Sequence, residues 1–426
     1  MKHKSAWCVV LAVCAVALVA AQEPRTAIDF NRLAVEAFQK QDQAAYLQHS
    51  RKAHELWPNH PRLMFHLARA QALSGNRAEA LQWLERAAQL AGDVDVNDAA
   101  FAALQDAPQM AAIRQHLEEW KRPRSASSVA FRLEERDLIP ENVAWDPATQ
   151  TFFIGAIYKR KIVARDRAGK VRDFVASKQD GLGGVLGMKL DLKRRRLWAV
   201  SYNGPNPPVM DAPPDEHLRG VFIFDLNTGK LVRKVTSFAD GEPLSANDVV
   251  LDSQGNAYLS SCRRGAVCRV GAEDATAEVF LPSEAIGFVN GIAISDDDRY
   301  LFVAHGNGVE RVEIATHAHI TLAHAPGISL SGADGLSFYK GSLVAVQNGL
   351  QPERVARYWL SRDMSRVERA EILEVNNPHF IIPTTGCIAG ETFYYMANSN
   401  LRAFQEGKIL PWENLVEPVI LQIRLE

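Results

Sequence analysis

Apolar residues along the chain change their spacing once, near residue 127, and the change separates two kinds of structure. From residue 27 to about residue 120 they recur three and four apart, as Leu33, Ala34 and Ala37 do, and then Tyr46, Ala53 and Leu56. That spacing lines one face of an α-helix. A shift of 34 residues lays the pattern on itself, Leu33 on Leu67, Ala34 on Ala68 and Ala53 on Ala87. Pro58 follows the second helix and Gly75 breaks the next pair, so the segment predicts helix–turn–helix units, with 98–120 as a degenerate closing pair. Beyond Ser128 the period becomes that of strands. Six segments begin ENVAW at Glu141, LGMKL at Leu186, NDVVL at Asn247, NGIAI at Asn290, DGLSF at Asp334 and TGCIA at Thr385. Each passes through a turn into a second apolar strand: TFFIGA, RLWAVS, NAYLSS, YLFVAH, SLVAVQ and FYYMAN.

Hairpins repeated at roughly 40 to 60 residues with no helix between them predict a β-propeller. The expected fold is therefore mainly β: a six-bladed β-propeller over 128–426, preceded by a small all-α domain over 25–120 and a charged, proline-bearing linker at 121–127. Strands at 129–133 and 418–425 are expected to pair and shut the ring, which removes the open edges of a sheet. No recurrent Trp-Asp ending is present, which argues against a WD-repeat propeller. The helical units resemble the tetratricopeptide repeat, which implies a groove for a peptide or protein partner. Packing against the propeller is the other use for only two such units.

Composition narrows the setting. With 47% hydrophobic and 23% charged residues and a net charge of −2, the chain has neither the basic excess of a nucleic-acid binder nor a like-charge block. Lys2 and Lys4, the uncharged apolar run 6–20 and the small residues Val19, Ala20 and Ala21 form the pattern of a cleaved signal peptide over 1–21. The run is short for a hydrocarbon core that needs roughly 20 residues, and no later segment is apolar enough to span a membrane. A periplasmic or secreted protein is expected. Three of the five cysteines then remain. Cys262 and Cys268 flank a hairpin turn and could form a cross-strand disulfide in an oxidising compartment or stay as half-buried thiols. Cys387 has no evident partner and reads as a buried strand residue.

In a propeller the residue that opens each innermost strand sits at one mouth of the central channel. Four of those six positions carry amide or carboxylate oxygens (Glu141, Asn247, Asn290 and Asp334) and none carries sulfur or imidazole. Hard oxygen donors converging from separate strands suit Ca²⁺, or Mg²⁺ and Mn²⁺, better than zinc or copper. The two carboxylates would balance a divalent charge. The set resembles the gluconolactonase/regucalcin (senescence marker) family of six-bladed propellers, more distantly related to paraoxonases, and the resemblance covers 128–426. It implies one divalent ion, with Ca²⁺ the first expectation and Mg²⁺, Mn²⁺ or Zn²⁺ the alternatives. Glu141, Asn247, Asn290 and Asp334 would be its ligands, and a lactone or related ester the small-molecule substrate. The chain departs from the family where Glu-Asn-Val stands for Glu-Gly-Pro, and where Ser245 stands for an arginine that contacts substrate. The departures point away from a sugar lactone and toward another acyl group.

Loops between the second and third strands should open on the same mouth, bringing Tyr158, the proline-rich insertion 203–220, His305, Asn348 and Asn398 near it. The insertion is a candidate lid. His305 is a candidate general base beside Asp334, since histidine titrates near neutral pH. His317, His319 and His324 read as surface or packing residues. With no Gly-x-Ser-x-Gly elbow, His-Glu-x-x-His helix or phosphate-cradling glycine loop, hydrolysis would depend on the ion. The expected function is an exported, metal-dependent hydrolase of a lactone or ester. The alternative is a non-catalytic scaffold whose helical repeats and propeller bind proteins or peptides.

Overall fold

The computed structural model describes residues 25–213, 218–284, 286–287 and 289–426. The leader expected at 1–21 lies outside the described residues. Among the described residues five α-helices come first: α1 (Ala27–Gln39), α2 (Gln43–Leu56), α3 (Pro61–Leu73), α4 (Arg77–Leu90) and α5 (Gln109–Trp120). Thr26 and Asp29 cap α1 reciprocally, each side chain accepting the other's backbone N–H at 3.1 and 3.0 Å, which satisfies donors a helix end leaves orphaned. Pro61 opens α3 where no N–H is required, and Gly75, at φ +81°, turns the chain toward α4. Ala34, Ala37, Tyr46 and Ala70 fill the small interface of the first three helices. Leu84, Phe101, Met110 and Ile113 form the larger core behind α4 and α5. No described helix is long and apolar enough to cross a membrane.

The rest is a six-bladed β-propeller. Blades 1 to 6 start at Pro140, Gly184, Val249, Val289, Ala333 and Gly386, and each is an antiparallel sheet built outward from the channel. Blade 6 takes its outermost strand from the beginning of the propeller: Ser127–Arg132 pairs with Val419–Arg424, Ser127 opposite Ile423 and Arg132 opposite Val419. The ring therefore closes where the sequence places the closure. The 121–127 segment is also engaged. Arg124–Ser125 adds a fifth strand to blade 5, Arg124 opposite Val375, and the buried Glu374 carboxylate accepts the N–H groups of Ala126 and Ser127, both at 3.1 Å.

Strands buried on both faces explain the near-continuous apolar runs. Cores lie between blades rather than within them: Trp198 and Val200 of blade 2 pack on Val249 and Leu259 of blade 3. Phe131, Ile420 and Met396 of blade 6 pack in the same way on Val143 and Ile154 of blade 1. Because every face is shared, no blade can bury its apolar surface alone. Cys262 and Cys268 are joined by a disulfide in blade 3, their Cα atoms 6.1 Å apart. Cys387 is a free thiol in the first strand of blade 6, pushed up to about 12 by burial.

Candidate functional site

Pairing slips at the mouth end of four first strands. The register shifts between Pro140 and Asn142, Val185 and Met188, Val289 and Ile292, and Ala333 and Gly335. Glu141, Leu186, Asn290 and Asp334 each occupy such a bulge, where a residue leaves the ladder and its side chain is re-aimed. The residue after three of them is glycine, for a reason of space. A Cβ on Gly291 would lie 2.4 Å from the Asp334 carbonyl oxygen, one on Gly335 2.7 Å from that of Thr384, and one on Gly187 2.6 Å from the Asp248 Cα. Adjacent first strands approach so closely only because these side chains are absent.

That approach links the ring side chains. The Asn247 amide donates to Asn290 Oδ1, and Asn290 Nδ2 donates to Asp334 Oδ1 at 2.7 Å. Asn348, from the loop after the second strand of blade 5, donates to Asp334 Oδ2 and to the Pro383 carbonyl. Thr384 and Thr385 hydroxyls hold the Glu141 carbonyl oxygen at 2.6 and 2.9 Å. The Glu141 carboxylate itself has no hydrogen-bond donor among the described residues. Leu186, the blade 2 member, is apolar and buried in the core shared with blade 3.

Glu141, Asp248 and Asp334 are all buried. Burial raises the Glu141 carboxyl well above the usual carboxylate range, and the negative charges of Asp334 and Asp248 push it further. Burial raises Asp334 as well, against the pull of the Asn348 and Asn290 amides. Asp248 is pushed up to about 6 by burial, with the Lys189 ammonium acting in the opposite direction. Lys189 lines a cavity of about 270 Å³ farther down the channel, with Trp145, Met188, Phe338 and Cys387. No ion pair forms to any of the three carboxylates among the described residues. Two buried acids facing one another without a cation are costly unless a proton or a metal compensates them. The donor set fits a hard divalent ion: carboxylates at Glu141 and Asp334 and amide oxygens at Asn247 and Asn290; next to Glu141 in the chain, the buried Asn142 Oδ1 has no hydrogen-bond partner among the described residues. Among the described residues no group of three or more His, Cys, Asp or Glu could hold a metal, so an ion here would depend on the amides.

His305 ends the second strand of blade 4 opposite Val289, one residue from Asn290 in sequence pairing. Its ring belongs to its own hairpin. Nδ1 accepts the Asn307 N–H at 3.4 Å, and Nε2 lies 3.7 Å from Glu310, a buried carboxylate also held by His319 at 2.6 Å and Thr321 at 2.7 Å. Burial lowers the His305 pKa. The ring thus faces outward along its blade, and among the described residues no hydrogen bond or ion pair joins it to Asp334. The described part of the insertion is tied to blade 1 and to itself: Arg160 donates to the Met210 and Asp211 carbonyls, Met210 N–H to the Tyr158 carbonyl, and Asn203 to the Pro213 carbonyl.

The sequence marked the ring but not Asn348 as its outer support, nor Asp248 as a third acid. Asp248 had a signal, because it occupies the position that is glycine in four of the six copies.

Known proteins resemble the chain at the level of shape. No protein-family model and no curated protein matches it. Among solved structures, a gluconolactonase from Xanthomonas campestris is 13% identical, with 71% of this chain and 95% of that chain covered at a TM-score of 0.48. A luciferin-regenerating enzyme is 15% identical over 67% and 91% of the two chains, TM-score 0.45. An inactive virginiamycin B lyase from Staphylococcus aureus is 15% identical over 69% and 98%, TM-score 0.44.

Proposed function

We propose that this protein is an exported hydrolase of a lactone or ester that works with one divalent ion held at the propeller mouth by Glu141, Asn247, Asn290 and Asp334. The observation that carries the reading is the pair of buried carboxylates, Glu141 and Asp334, set among amides with no Lys, Arg or His ion-paired to either among the described residues. When bound, such an ion supplies Lewis-acid polarisation of an acyl carbonyl. The chain's own part is to keep the donors fixed. Asn290 and Asn348 hold both oxygens of Asp334, and the two threonines fix the Glu141 backbone. Asp334 is the acceptor for the proton of an attacking water, and His305, turned toward Glu310, has a structural part in its hairpin. Ser245, standing where the resembled family has a substrate-contacting arginine, favours an acyl group other than a sugar lactone.

The test is metal binding followed by a substrate screen. Ca²⁺, Mn²⁺, Mg²⁺ and Zn²⁺ are titrated into chelator-treated protein, and lactones and esters are then assayed with the best ion. Ligand at 100 times its dissociation constant stabilises the folded state by about 2.7 kcal/mol, so a clear rise in melting temperature is expected. Asp334→Asn should remove binding, the rise and hydrolysis together, while Leu186→Ala keeps the binding. Wild-type protein unmoved by all four ions would end the metal reading and favour a scaffold.

A further inference from the structure

Among the described residues the helical domain is hydrogen-bonded to blades 4 and 5, the blades that supply Asn290 and Asp334, and to Asn376 just after blade 5, whose amide donates to the Trp120 carbonyl at 2.6 Å. Asn59 N–H, in the turn between α2 and α3, donates to Asn307 Oδ1 at 2.9 Å. The Trp57 indole packs over Gly306, where a Cβ would lie 2.2 Å from the ring. Ser331 Oγ, three residues before Asp334, donates to the Asn59 carbonyl at 3.4 Å. The tightest grip is on the loop 348–353 and the residue after it. Gly92 N–H donates to the Gln351 carbonyl at 2.6 Å. Arg354, 3% exposed, donates from Nη2 to the Leu90 carbonyl at the end of α4 at 2.9 Å, and its guanidinium lies 4.3 Å from the Trp120 ring centre. A helix C-terminus is a favourable place for a cation, because its last carbonyls are unpaired. The other end of the same loop is Asn348, on Asp334 Oδ2, and Gly349 N–H donates to the Gly332 carbonyl at 3.0 Å.

We infer that Arg354 is a positioning residue for Asp334: the helical domain anchors the loop through Arg354 and Gln351, and the loop holds the Asp334 carboxylate through Asn348. The domain then serves as a brace for the mouth. The inference rests on the reading of Asp334 as a functional carboxylate, and its test has a readout that needs no metal. Full-length wild type, Arg354→Ala, Arg354→Lys, Asn348→Ala and the double variant are compared by amide hydrogen exchange without metal, and by Mn²⁺ titration. Arg354→Ala should speed exchange at 332–335 as well as at 348–353 by tenfold or more. It should weaken Mn²⁺ binding to a similar degree, with Arg354→Lys intermediate. The double variant should bind Mn²⁺ no worse than Asn348→Ala alone, since both substitutions cut one path. Loss of the Cys262–Cys268 disulfide by paired serine substitution, which weakens blade 3 generally, should leave exchange at 332–335 as in wild type. Faster exchange confined to 351–354, or Mn²⁺ losses that simply multiply, would overturn the inference. A wild type that binds no Mn²⁺ but shows the exchange coupling would remove the metal reading and leave the brace standing.

Discussion

Lowering the pH from 7 to 5 should loosen the helical domain well before the propeller. His60 and His66 are largely buried: burial with the Arg62 charge lowers His60 to about 4, and burial with the Arg69 and Arg62 charges lowers His66 to about 4. The folded-state value lies below the ordinary one near 6.5, so folding favours the neutral rings. Their contribution is whole above pH 6.5 and is lost as pH falls from there toward 4. By proton linkage each ring costs about 1 kcal/mol of stability at pH 6 and about 2 kcal/mol at pH 5, as upper figures. Two such rings are a large share of the 5–15 kcal/mol that holds a typical domain. His66 Nδ1 lies 3.2 Å from the Tyr46 hydroxyl and His60 stacks on Trp57 at 5.8 Å, so protonation acts on both the helical core and the contact with blade 4. The assay is thermal unfolding followed by helical circular dichroism at half-unit pH steps, for wild type and for His60→Asn/His66→Gln. Wild type should lose stability steeply below pH 6.5, and the double variant should start lower but fall much less to pH 5, its remaining slope coming from His54, whose pKa burial also lowers. Equal losses in both proteins over that range would refute the reasoning.

Two further outcomes are expected. Gly306→Val should unseat Trp57 from blade 4, costing roughly 1–3 kcal/mol as an overpacked contact does and red-shifting tryptophan emission; unchanged emission and melting temperature would count against the docking. Replacing Cys262 and Cys268 by serine should cost about 2 kcal/mol, the chain-entropy figure for so short a loop, in a denaturant titration of the oxidised protein.

The propeller was legible because each copy repeats the same physical requirement. In five of the six copies an apolar strand follows a polar residue at the mouth, Leu186 being the exception, so Glu141, Asn247, Asn290 and Asp334 align without any knowledge of the fold. The closure of 127–132 on 419–424 followed from two strands left over at the ends. The docking of the helices was less visible, although packing was one of the two uses expected for so few of them. Most of its hydrogen bonds end on the backbone of Leu90, Gly92, Asn59 and Gln351, and backbone atoms leave no pattern in a sequence. Asn348 lies in a loop, where only its hydrogen bond to Asp334 distinguishes it. The His305 orientation had a trace: Glu310 follows Gly308 across the same turn, and a hairpin there sets a carboxylate beside the imidazole.

Taking blade 6's outer strand from residues 127–132 has a consequence for how the chain acquires its form. Five blades can assemble in order, but the sixth must wait for the last residues, whose partner was made nearly three hundred positions earlier. Contacts of that span are slow to find, and until they form, the Val419–Arg424 strand and the Ser127–Arg132 strand are both open edges. Glu141 is held by Thr384 and Thr385 only across this seam. The mouth therefore becomes complete at the final step of folding, and a ligand that needs all its donors would recognise only molecules whose ring has shut.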